Sequence, residues 1–147
     1  MYNDQNRKIR IEELLSENKS VQLHPIGYSM YPLIVPERDE VIISPLRNHK
    51  IRRGDVLLYK RKSGKFVLHR VYKIRGDSLF FVGDNESEIE GPLNISQVYG
   101  IMSSFYHNGR LYRSKNPFYI ISYNVWLFLL PFRKPISSFI HNLKNRH

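Results

Sequence analysis

Between residues 20 and 107 the chain is a succession of short apolar runs, each cut off by turn residues. The runs are VQLHPI, EVIIS, DVLLYK, KFVLHRVYKI, SLFFVG and QVYGIM. Val, Ile, Leu and aromatic side chains dominate them, and these suit a pleated, half-buried surface. The breaks carry Gly, Pro and Asp, at Pro36-Glu37-Arg38-Asp39, Arg53-Gly54-Asp55, Ser63-Gly64-Lys65, Arg75-Gly76-Asp77 and Glu90-Gly91-Pro92. Each residue type there has its own turn chemistry. Many short strands at close spacing predict a mainly β fold, a small barrel or sandwich. With 147 residues the chain has room for one domain with a real core and not for two ordinary ones.

The flanks read differently. Residues 7–18 (RKIRIEELLSEN) place Ile9, Ile11, Leu14 and Leu15 mostly on one face of a short amphipathic helix. Asn108-Gly109 is a hairpin signal between QVYGIMSSFYH and RLYRSK. PFYIISYNVWLFLLPF, residues 117–132, is almost uniformly apolar and predicts a hydrophobic helical segment. The expected organisation is an N-terminal helix over 1–19, a β domain over 20–107, and a hairpin strand with a hydrophobic, basic segment over 108–147.

Composition narrows the chemistry. The chain has no cysteine, which removes disulfides, zinc-thiolate sites and cysteine nucleophiles. His24, His49, His107, His141 and His147 show no metal-ligand spacing, so neither metal nor other cofactor is expected. The net charge of +10 is unevenly spread. Residues 1–90 carry 16 Lys and Arg against 13 Asp and Glu; residues 91–147 carry 7 and none. A purely basic C-terminal third points to an anionic partner. Met1 to Lys19 is polar, without the apolar core of a secretory signal, so no leader is expected there.

Three segments carry candidate chemistry. Gly27-Tyr28-Ser29-Met30-Tyr31-Pro32 follows a strand and combines a glycine that permits a sharp turn with a proline that fixes the exit. Such a turn presents Ser29 at a sheet edge, either as a solvated turn residue or as a nucleophile. Leu68-His69-Arg70-Val71 lies in the most apolar strand, where His69 is either a buried, hydrogen-bonded histidine or the base that a serine hydroxyl needs. Phe81-Val82-Gly83-Asp84-Asn85 places Asp84 in a tight turn, either capping it or orienting an imidazole. Even spacing in a strand also sets Lys73 on the same face as His69, a rival base.

The order of these pieces resembles the signal peptidase I family of membrane-associated serine endopeptidases. The resemblance covers about residues 22–102 and rests on GYSMYP, Arg53-Gly54-Asp55-Val56, LHRV and GDN. It implies Ser29 as nucleophile, His69 as general base, as in the Ser/His branch of the endoplasmic reticulum and archaea, and Asp84 as a third catalytic residue. Gly27, Met30 and Pro32 are implied to meet the substrate. A bacterial-branch serine that helps hold the oxyanion is replaced by Gly27, which leaves backbone donors for that task. Glu90 stands near a carboxylate position of the Ser/His branch. The implied fold is a small β-barrel or complex sheet of LexA-like and signal-peptidase-like type, with a short N-terminal helix and a C-terminal hydrophobic helical segment. LexA-like repressors attach a DNA-binding helix-turn-helix, for which residues 1–19 are too short.

The expected activity is therefore cleavage of a precursor or leader peptide, bound in extended form, by acyl transfer. The alternative is a catalytically inactive or regulatory, membrane-associated peptide-binding member of the same fold. The aromatic residues of 117–132 and the following Arg133 and Lys134 suit a lipid headgroup region, so residues 117–147 are expected to touch a membrane surface or to pack on the β domain. Residues 136–144 read as a second amphipathic helix. No recognition helix is legible, so no nucleic acid partner is expected, and the expected location is a membrane surface or otherwise the cytoplasm.

Overall fold

A computed structural model of the chain describes residues 4–133, with side chains from residue 10 onward. Helix α1 (Asp4–Ser16) comes first. Eight strands follow: β1 (Val21–Leu23), β2 (Asp39–Ser44), β3 (Val56–Lys60), β4 (Phe66–Arg75), β5 (Ser78–Val82), β6 (Glu90–Asn94), β7 (Val98–His107) and β8 (Arg110–Arg113). Helix α2 (Pro117–Phe128) ends the described chain with a further short turn at Leu130–Phe132. The second helix expected over 136–144 lies outside the described residues.

All strand pairings are antiparallel, in the order β1-β2-β7-β3-β4-β5-β6, with β8 also paired to β7. β3 explains the continuous apolar run VLLY. Val56 and Leu58 face one core, with Met30, Ile34, Val41, Ile43 and Met102. Leu57 and Tyr59 face another, with Val67, Val71, Leu79, Phe81 and Ile101. A strand covered on both faces has no polar side to show. β2, covered less evenly, keeps the alternation of buried and half-buried residues along its whole length.

The expectation of a barrel is corrected. β1 and β6 form the two ends of the order and do not pair with each other, so the sheet is open. The number of strands does not set closure; the edges do. β1 has only 3 residues, and β6 carries Pro92, which cannot donate to a further strand. β6 also occupies a segment that reads as a turn in the sequence. Shifts of register at Ile42/Ile43, Leu58/Tyr59, Val71/Lys73 and Leu79/Phe81 curl the sheet.

Both helices lie on this sheet. Leu15 of α1 is buried in the first core, and Ile11 packs against it. α2 begins with Asn116, whose side chain accepts from the N–H groups of Phe118 and Tyr119, and Pro117 occupies its first turn. Its Tyr119 enters the first core, and Leu127 and Leu130 pack on Val82. No described helix is long and apolar enough to cross a membrane.

Candidate active site

Beyond β1 the chain leaves the sheet and turns at Gly27, whose φ of +75° disfavours any side chain. The Tyr31 N–H then bonds to the Tyr28 carbonyl, closing a turn around Ser29, and the Ile34 N–H bonds to the Met30 carbonyl, closing the next one. Met30 and Ile34 anchor the turn in the first core, while Ser29 stays half-buried. A second anchor comes from the GDN turn. Asn85 N–H donates to the Ser29 carbonyl at 2.8 Å. A Cβ on Gly83 would stand 2.7 Å from that carbonyl oxygen and 2.9 Å from the Glu86 carboxyl carbon. Only glycine lets the two turns meet backbone to backbone.

His69 sits on β4 opposite Leu57 and is 3% exposed. Its Nδ1 lies 3.2 Å from the Tyr59 hydroxyl, which donates to Glu90 Oε2 at 2.6 Å. Arg61 holds the same carboxylate with Nε on Oε1 at 2.7 Å and Nη2 on Oε2 at 2.8 Å. The Arg61 hydrogen bonds keep the Glu90 carboxyl below its usual range, and burial pushes the Tyr59 phenol up. Glu90 is thus acceptor only, and Tyr59 keeps its single proton. That proton points at Glu90, so the phenolic oxygen must accept from His69 Nδ1–H. Neutral His69 is thereby fixed in the tautomer whose Nε2 is a free base. On that side Glu86 Oε2 lies 3.8 Å away, placed to favour an imidazolium once formed. Burial, the largest influence, holds the imidazole below its ordinary value of about 6.5 despite the nearby carboxylates.

Asp84, expected as the third catalytic residue, is bonded to Arg70, and the hydrogen bond at His69 Nδ1 is made by Tyr59 instead. Asp84 and Arg70 are both fully buried, with Arg70 Nε on Oδ1 at 2.8 Å and Nη2 on Oδ2 at 2.7 Å. Arg70 also donates to the Gly54 carbonyl and the Tyr119 hydroxyl, and its guanidinium lies 4.6 Å from the Tyr123 ring centroid. The reason is strand parity: neighbours 69 and 70 point to opposite faces, and the carboxylate follows the arginine. One buried ion thus ties three of the four sequence boxes together. The group beside His69 Nδ1 is Tyr59, backed by Glu90.

Ser29 and His69 line one cleft of about 480 Å³, together with Gly27, Met30, Arg61, Lys65 and Glu86. Its apolar walls include Leu23, Ile26, Val41, Leu58 and Leu68. Two expected substrate contacts change. Met30 reaches the cleft but is 3% exposed, so it is a core residue that floors it. Pro32 lies in the following turn, between Met30 and Ile34, and does not line the cleft. Lys73 is exposed and also absent from the lining, because the register shift between Val71 and Lys73 reverses the two-residue alternation. His24 reaches the cleft mouth with its side chain largely exposed, 3.7 Å from Glu40.

The cleft also offers backbone. β5 pairs with β4 only from Arg70 onward, which among the described residues leaves Phe66–His69 unpaired on that side. Among the described residues no three metal-ligating side chains converge. Sequence reasoning missed Tyr59, Glu86 and Arg61. The signal for Tyr59 is its register: Leu57 faces His69 and Tyr59 faces Val67, so Tyr59 and His69 are diagonal neighbours on one face. The chain matches no protein-family model, no curated protein and no solved structure.

Proposed function

We propose that this chain is a serine endopeptidase of Ser/His type, with a signal-peptidase-like and LexA-like fold, that cleaves a precursor or leader peptide. One observation carries the reading: Ser29 opens on the same cleft as a buried His69 whose free nitrogen is fixed from behind by Tyr59 and Glu90. In the proposed cycle His69 Nε2 takes the Ser29 proton as Oγ bonds to the scissile carbonyl carbon. The carbon–nitrogen bond then breaks, and the same proton passes to the leaving amine. A water that loses its proton to Nε2 then bonds to the acyl carbon, the carbon–Oγ bond breaks, and the proton on Nε2 returns to Ser29 Oγ. Backbone N–H groups of the Ser29 turn hold the oxyanion, since Gly27 offers no side chain.

An extended peptide adding to the unpaired edge of Phe66–His69 presents its carbonyls to this turn, with alternate side chains on the apolar walls. Incubation with a peptide library and sequencing of new termini by mass spectrometry tests the proposal. Wild type should create termini with a common flanking pattern, and Ser29→Ala and His69→Ala should not. New termini appearing equally with Ser29→Ala sink the assignment. Retention of extended peptides without any cleavage by wild type favours a binding protein.

A further inference from the structure

Among the described residues, α2 buries one face and leaves a second apolar face uncovered. Tyr119, Leu127 and, just beyond the helix, Leu130 are buried, Trp126 Nε1–H donates to the Asp84 carbonyl, and Arg133 donates to the carbonyls of Gly83, Glu86 and Trp126. The helix is therefore fixed to the body. Phe118, Ile121, Val125, Phe128 and Phe132 are nevertheless 81%, 61%, 53%, 78% and 56% exposed. The first four are spaced by three, four and three, a single stripe along α2, and Phe132 follows in the short turn beyond it. Large apolar side chains contiguous on a soluble surface mark a docking site.

Charge selects the occupant. From Gly91 to His147 the sequence has seven Lys and Arg and no acidic residue. Arg110, Arg113 and Lys115, all exposed, immediately precede the helix. A second copy docking through the same face would bring like charges together. An anionic lipid surface meets both requirements, apolar below the headgroups and negative at them. At 12 residues α2 is too short to span a bilayer, but a flat-lying helix of this length can bury one face.

We propose that α2 and the turn after it dock this protein on anionic phospholipid surfaces, with Phe118, Ile121, Val125, Phe128 and Phe132 inserted at the headgroup boundary and the preceding cations on the lipid charges. The proposal is independent of the peptidase reading, and Ser29→Ala should dock like wild type. The test is flotation of the full chain with vesicles of phosphatidylcholine alone and of an equal mixture with phosphatidylglycerol. Wild type should float with the mixture, much less with the neutral lipid, and less as salt rises. The double variant Phe118→Gln/Phe128→Gln should lose roughly tenfold in partitioning per phenylalanine, with an unchanged melting temperature, because both rings are exposed in the free protein. The pair Ile121→Gln/Val125→Gln should weaken docking in the same direction. Unchanged flotation of both pairs overturns the proposal, as does equal binding to neutral and mixed vesicles. A concentration-dependent dimer that the Phe pair abolishes, without vesicle binding, assigns the stripe to a second copy and also overturns it.

Discussion

Replacing Tyr59 by Phe removes one oxygen atom from behind His69 and little else. The ring is fully buried and stacked on Phe81 at 4.4 Å, so its packing survives. Glu90 keeps both bonds to Arg61, so no carboxylate is orphaned. What is lost is the acceptor 3.2 Å from His69 Nδ1. A buried N–H without a partner costs about 1–3 kcal/mol, which is the expected loss in unfolding free energy. His69 also loses its preference for the tautomer with a free Nε2. If that preference is worth about 1.4–2.8 kcal/mol, kcat falls roughly ten- to hundredfold. KM should stay constant, because Tyr59 does not line the cleft. Glu90→Gln sharpens the test. With its amide oxygen on Arg61, its NH₂ faces Tyr59 and turns the phenolic O–H toward His69 Nδ1. The tautomer is then inverted, and kcat should fall further than in Tyr59→Phe. In the Tyr59→Phe background the same change should add little, since the inversion requires the phenol. Steady-state cleavage by the two single variants and the double variant decides it. Additive losses, or a wild-type kcat in Tyr59→Phe, refute the relay.

Four further outcomes follow from the same geometry. Asp84→Asn leaves the fully buried Arg70 guanidinium without its counter-charge, so denaturant unfolding should show a loss of about 3 kcal/mol or more; a variant with wild-type stability but no activity would return Asp84 to a catalytic role. Gly83→Ala forces the GDN turn away from the Ser29 carbonyl, so kcat should fall by roughly tenfold or more while the fold persists, and an unchanged kcat would show that the contact is slack. His69 is held below its ordinary value mainly by burial, so the acid limb of kcat/KM should fall below pH ~6.5, and a limb at or above that value would refute His69 as the base. The same shift has a sign for stability. Between the folded value and ~6.5 the unfolded chain binds the proton that folded His69 refuses, so stability falls as pH drops through that window, and less steeply in His69→Gln.

The sequence reveals elements better than partnerships, and the reason is range. Strand runs and turn residues are local, so β2, β3, β4, β5 and β7 lie where the apolar runs place them. β6 escapes because Gly91-Pro92 reads as a break, whereas at a sheet edge proline is tolerated. The single-residue parity of Lys73 with His69 fails for a similar cause: the register shift near Tyr72 depends on β5, which the β4 sequence does not contain. Tyr59, the residue nearest His69 Nδ1, is invisible for want of a register between β3 and β4.

The pair His69-Arg70 shows how this limit divides the site. Two adjacent strand residues must point apart, so each motif on β4 serves two faces at once. On one face His69 joins Tyr59, Glu90 and the cleft. On the other Arg70 gathers Asp84, the Gly54 carbonyl and Tyr119 into a buried ionic knot. The GDN turn belongs to both faces, since Asp84 closes the knot while Asn85 holds the Ser29 carbonyl. A linear motif sets these residues side by side and does not say which face each serves. Placing Asp84 behind Arg70 therefore moves its expected effect from the chemical step to the folding equilibrium, and leaves the orientation of His69 to a tyrosine and a glutamate drawn from two other strands.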